Sequence, residues 1–110
     1  MIDVSIYKNA DGVITGFRYS GHAGFAKRGK DIVCSAVSAL VINTINSIET
    51  FTSDQFQLEQ DEKKGIIEFH VTVPMSNNTH LLLCSLALGL KGIEEEYSDK
   101  YIKLTQVKTQ

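Results

Sequence analysis

The sequence predicts an α+β fold: one small domain, residues 1–110, in the order β-β-α-β-β-α-β, with a sheet of about five strands and two helices. Three observations predict it. Short stretches alternate apolar and polar residues, the mark of half-buried strands. Two longer segments repeat apolar residues at the three-and-four spacing of a helix with one buried face. No linker, low-complexity tract or solenoid period interrupts them, and 110 residues are enough for one core but too few for two.

Ile2, Val4 and Ile6 alternate with polar neighbours and open the first strand. Asn9-Ala10-Asp11-Gly12 is a hairpin turn, because Asp-Gly readily takes the positive-φ conformations a tight turn needs. A second strand runs through Val13–Tyr19, with Phe17 and Tyr19 on one face. The stretch from Ser20 to Lys30 holds Gly21, Gly24, Gly29, Lys27 and Arg28 without periodicity, and predicts an exposed, mobile loop. Asp31 then opens a helix whose buried face is Val33, Val37, Leu40, Val41, Thr44, Ile48 and Phe51, closed by Ser53-Asp54. Phe56 and Leu58 mark a third strand. Asp61–Gly65 turns into a fourth, where Ile67, Phe69, Val71 and Val73 point one way until Pro74 stops the ladder. Ser76-Asn77-Asn78 caps a second helix to about Tyr97, and Tyr101–Val107 is a last strand.

With 43% apolar and 22% charged residues and a formal charge of −2, the chain is ordinary for a globular protein and has no field that favours nucleic acid or an anionic membrane. Met1-Ile2-Asp3-Val4 lacks the basic start and apolar run of a signal peptide. The longest apolar stretch, around Leu81–Leu90, is broken by Ser85 and Gly89, so no membrane span is expected. Two cysteines in apolar surroundings then point to a reducing cytoplasm. No pair of histidines or cysteines has close ligand spacing such as Cys-x-x-Cys, so neither a metal nor a cofactor is expected. Cys84 reads as a core residue, while His70 and His80 read as exposed.

The chemistry gathers between Gly21 and Ser38. His22 stands where a strand runs out, and Cys34 stands twelve positions later, where the loop becomes a helix. With Asp31 as N-cap, Cys34 falls in the first turn, where unpaired N–H groups and the helix dipole favour a thiolate. A protonated His22 nearby would add to that effect. Asp31 helps only as a cap or as a group orienting His22, since a carboxylate facing the sulfur opposes its ionisation. Ser38, one turn beyond Cys34 on the same face, can bind a substrate carbonyl, hold the histidine or bond back to the Cys34 carbonyl. Backbone N–H groups at the helix start, that of Cys34 included, can form an oxyanion hole. The plain alternative is a buried structural cysteine near a loop histidine.

Gly21-His22-Ala23, the glycine- and lysine-bearing loop, Asp31-Ile32-Val33-Cys34 and Ser38 together resemble the ribosomal-processing cysteine protease family, Prp. The resemblance spans essentially the whole chain and is sharpest from Ser20 to Asn46. It implies a bacterial cytoplasmic endopeptidase that removes a short N-terminal extension from a large-subunit ribosomal protein, cutting after a pair of aromatic residues and before a small one. Cys34 would be the nucleophile and His22 the base, with Gly21, Asp31 and Ser38 in support. The resemblance further implies a homodimer whose loop before the helix moves to admit the peptide, with no cofactor, no nucleic-acid partner and no membrane. From the residues alone, other readings stand beside it: a noncatalytic ribosome- or RNA-associated module using Lys27–Lys30, a cysteine acyltransferase or thiol hydrolase, and a structural dimer. The acidic run Glu94-Glu95-Glu96 reads as a solvated face able to attract a basic substrate tail.

Overall fold

The computed structural model describes residues 1–21, 28–97 and 101–109, with residues 28–31 described by their backbone alone. Seven elements follow the expected order: β1 (Ile2–Lys8), β2 (Ile14–Ser20), α1 (Arg28–Phe51), β3 (Phe56–Asp61), β4 (Ile66–Val71), α2 (Asn77–Tyr97) and β5 (Ile102–Lys108). The strands form one sheet in the order β3-β4-β2-β1-β5. Neighbours pair antiparallel except β1 and β5, which run parallel because α2 carries the chain across between β4 and β5. Gly12 and Gly65 take positive φ, 77° and 66°, in the two hairpin turns.

Alternation sends one side chain in two to a single apolar face. In register across it lie Ile6 and Phe17, Val4 and Tyr19, Phe17 and Phe69, Tyr19 and Ile67. Phe17 and Phe69 stack with centroids 5.1 Å apart, and Phe56 tilts against Phe69. Val33, Val37, Val41, Ile45 and Ile48 of α1 join Leu83, Leu86 and Leu90 of α2 in the same core. Ser76 caps α2: its Oγ accepts the Thr79 N–H at 3.3 Å and donates to Asp54 Oδ2 at 2.7 Å.

The other face of the sheet is polar. Glu68 on β4 accepts from Tyr7 Oη at 2.5 Å and from Arg18 Nη1 at 3.0 Å, while the His70 ring stacks on Tyr7 at 5.0 Å. Burial alone would push the Glu68 carboxyl up, but hydrogen bonds from Tyr7, Arg18 and His70 and the Arg18 charge outweigh it and hold the group below its ordinary value. Burial, then the bond to Glu68, pushes the Tyr7 phenol up to about 12.

Several sequence expectations are corrected. Helix α1 begins at Arg28, three residues before Asp31, because Arg28 and Lys30 are good helix formers and one glycine costs the helix only about 1 kcal/mol. Phe51, the last residue of α1, is 73% exposed, since Ile48 is the last to reach the core. Val73 lies past the end of β4 and is 64% exposed. His80 is half-buried, with Nε2 at 3.6 Å from Cys84 Sγ one turn along α2. Glu94 is not simply solvated: its Oε2 accepts the Leu104 N–H at 2.7 Å and ties α2 to β5. Finally, Ile32–Phe51 is long and apolar enough, by length and composition, to cross a membrane. Its apolar residues Val33, Val37, Val41, Ile45 and Ile48 are instead packed into the core. The expected loop over residues 22–27 lies outside the described residues.

Candidate active site

Cys34 is the seventh residue of α1, counting from Arg28, and so stands in the second turn. An α-helix leaves only its first four N–H groups unpaired, and its dipole acts mainly within the first turn. The Cys34 N–H therefore belongs to the intrahelical ladder, and Asp31, the fourth helical residue, is not the cap. Support for a thiolate at Cys34 has to come from side chains. The orienting role considered for Asp31 rests on a side chain outside the described set, as does the position of His22.

One such side chain is Tyr19. Its ring lies on the helix-facing side of β2, 6% exposed, and its Oη is 3.3 Å from Cys34 Sγ and 3.1 Å from Ser38 Oγ. The phenol thus joins Cys34 and Ser38, which stand one turn apart on α1, across the β2–α1 boundary. Burial first, then the hydrogen bond to Cys34, pushes the phenol up to about 12, with the Ser38 bond pulling the other way. At neutral pH Tyr19 is a protonated donor.

Gly21 completes the contact. It is buried, and its N–H donates to Gly65 O at 2.9 Å in the β3–β4 turn. A Cβ at residue 21 would collide with the Tyr19 hydroxyl and lie 2.7 Å from Tyr19 Cζ. Absence of a side chain there is what admits the phenol. Gly21 therefore lies against the same phenol that bonds Cys34.

Beside this cluster a groove of about 210 Å³ runs between α1 and the β3–β4 hairpin. Tyr19, Ile42, Ile66 and Ile67 supply apolar walls, and Asp61 and Glu62 line it as well. Ile42 is 46% exposed and stands two helical turns beyond Cys34.

Of the residues singled out by sequence, the structure brings Gly21, Cys34 and Ser38 together. Ser38 bonds the Tyr19 phenol, a partner outside the three weighed for it. Sequence reasoning placed Tyr19 on the correct face but missed its role. The available signal was a tyrosine on the core face of a strand, since a buried phenol usually finds a hydrogen-bond partner. Among the described residues no cluster of three or more His, Cys, Asp or Glu could hold a metal ion.

A half-buried thiol beside a buried phenol, on a helix packed against a five-stranded sheet, suits a cysteine-dependent enzyme. The family model described as cysteine protease Prp matches residues 1–103, and the chain belongs to that family. A curated relative, the ribosomal processing cysteine protease Prp of Staphylococcus aureus, is 35% identical over 101 residues, covering 90% of this chain and 93% of the relative. The crystal structure of an essential ribosomal processing protease Prp from S. aureus with a substrate peptide aligns with TM-score 0.90 at 30% identity. It covers 97% of this chain and all of that one. A second S. aureus Prp structure, holding a covalently linked product peptide, aligns with TM-score 0.86 at 31% identity and the same coverage.

Proposed function

We propose that this chain is a cytoplasmic endopeptidase that removes the N-terminal extension of a bacterial large-subunit ribosomal protein, with Cys34 as nucleophile and His22 as general acid and base. The observation that carries the reading is the Tyr19 hydroxyl, which reaches both Cys34 Sγ and Ser38 Oγ and lies against Gly21, the residue that precedes His22 in the chain. The relatives' name, ribosomal processing protease, and the substrate peptide bound to one of them support the substrate class.

In the mechanism, the Cys34 thiolate attacks the scissile carbonyl carbon, and protonated His22 delivers its proton to the leaving amine nitrogen. The N-terminal fragment stays on Cys34 as a thioester. Water, giving a proton to His22, then attacks that carbonyl, and Cys34 leaves as thiolate. The covalently linked product peptide in the S. aureus relative supports a covalent route. Asp31 would orient His22, and the protein would act as a homodimer without nucleic-acid contacts.

The preference for cutting after aromatic residues is supported by the groove that shares Tyr19 with the nucleophile. Ile42, Ile66 and Ile67 offer apolar contact to an aromatic side chain, and Asp61 and Glu62 complement the basic residues common in ribosomal tails.

Mass spectrometry of a peptide spanning such an extension tests the reading. The wild type should give one cut after the aromatic pair, lost in Cys34→Ala and His22→Ala and at least tenfold slower when the aromatics become alanine. Equal cleavage by Cys34→Ala would overturn it. A reactive thiol with no peptide cleavage would favour another acyl substrate.

A further inference from the structure

Cys34 stands in the second turn of α1, beyond the reach of the helix start, and the hydrogen bond at its sulfur is with the Tyr19 phenol. Tyr19 Oη and Ser38 Oγ each have one proton to give and can also accept, and a thiolate can only accept. While Cys34 carries its proton, the chain Cys34–Tyr19–Ser38 can run in either direction. Once the sulfur is ionised a single direction remains: Ser38 donates to the phenol oxygen, and the phenol donates to Sγ. The link to the large sulfur atom is 3.3 Å, and the link between the two hydroxyls, 3.1 Å, is at the long end for an O–H···O bond.

We propose that Tyr19 is a positioning residue for the nucleophile: its phenol, seated against Gly21 and oriented by Ser38, donates a hydrogen bond to the Cys34 thiolate and holds the sulfur on the β2-facing side of α1. The inference rests on the protease reading for its purpose but not for its test, because the state of a thiol can be read without any peptide. Three facts converge on this role. The ring is anchored in the core between Val4 and Ile67, its register partners, so the hydroxyl arrives from a rigid strand and not from a loop. The hydroxyl reaches two residues of α1 one turn apart, Cys34 and Ser38, so it is held from two sides. Gly21 lacks the one atom that would displace it.

The test is the rate of iodoacetamide alkylation of Cys34 from pH 5 to 10, read by mass spectrometry on the Cys34 peptide, with Cys84 of the same molecule as internal reference. In Tyr19→Phe, which keeps the ring, the pH at which the Cys34 rate reaches half its plateau should rise by about one unit, the size expected for one hydrogen bond to a charged acceptor. Ser38→Ala should move it the same way by a smaller amount, and Cys84 should be unmoved in both. Peptide cleavage at pH 7 should fall about tenfold in kcat with little change in KM. A Cys34 profile in Tyr19→Phe that overlays the wild type, or shifts downward, overturns the proposal. Failure of the wild type to cut any peptide would count against the protease reading alone and leave the alkylation result standing.

Discussion

At the scale of single residues, the site depends on a side chain that is missing. A methyl group at residue 21 would meet the Tyr19 hydroxyl, and the ring, packed between β1 and β4 neighbours, has little room to retreat. Gly21→Ala should therefore destabilise the protein by about 1–3 kcal/mol, the usual cost of overpacking, and slow Cys34 alkylation as the phenol is pushed from the sulfur. Thermal unfolding and the alkylation rate check this; an unchanged melting temperature would contradict it. Cys34 and His22 stand out as catalytic candidates from their sequence neighbours, and the structure describes only the first of them. Tyr19 does not stand out, because its contact with Cys34 joins residues 15 apart in sequence across two different elements, and no local spacing encodes that.

At the scale of elements, the number of strands and helices and their succession along the chain follow from apolar periodicity, which tertiary packing here reinforces. Boundaries are another matter. The start of α1 was read from Asp31, a good cap, yet the helix begins at Arg28. That three-residue difference moves Cys34 out of the reach of the helix dipole and changes which groups can stabilise its charge. Helix α2 has the opposite lesson. The segment Ser76-Asn77-Asn78 predicts a cap, and the structure assigns that role to Ser76, whose Oγ accepts the Thr79 N–H while Asp54 accepts from both the Ser76 N–H and hydroxyl. Ser76→Ala should cost about 1 kcal/mol and lower the melting temperature by about 4–8 °C, measured by circular dichroism. No change would show that Asp54 alone holds the chain entry.

At the scale of the whole molecule, the one-sided sheet sets how stability responds to pH. The Tyr7 and Tyr19 phenols both stand at about 12, above the ordinary 10, so the folded state retains protons that the unfolded chain gives up. Their stabilisation is complete below pH 10 and lost as pH rises toward 12. Glu68 and Asp54 are held below their ordinary values, the first by hydrogen bonds and the Arg18 charge prevailing over burial, the second by Thr79 and Ser76. Their contribution is present above the ordinary carboxylate range and lost as pH falls through the folded values. Urea midpoints should fall at both extremes, and Tyr7→Phe should flatten the alkaline side; an identical alkaline slope would contradict this. The polar face of the sheet, with Tyr7, Arg18, Glu68 and His70 joined, was not legible beforehand. It depends on β4 lying beside β2 and β2 beside β1, a pairing order that alternation within each strand does not specify.

The most direct test of the central claim, that Cys34 attacks the peptide bond, is intact-mass analysis of the enzyme quenched in acid during turnover of a ribosomal extension peptide. The account predicts a protein species heavier by the acyl mass of the N-terminal fragment, mapped to Cys34 and absent from Cys34→Ala. Turnover with the added mass on Cys84, or cleavage that persists in Cys34→Ala, would contradict it.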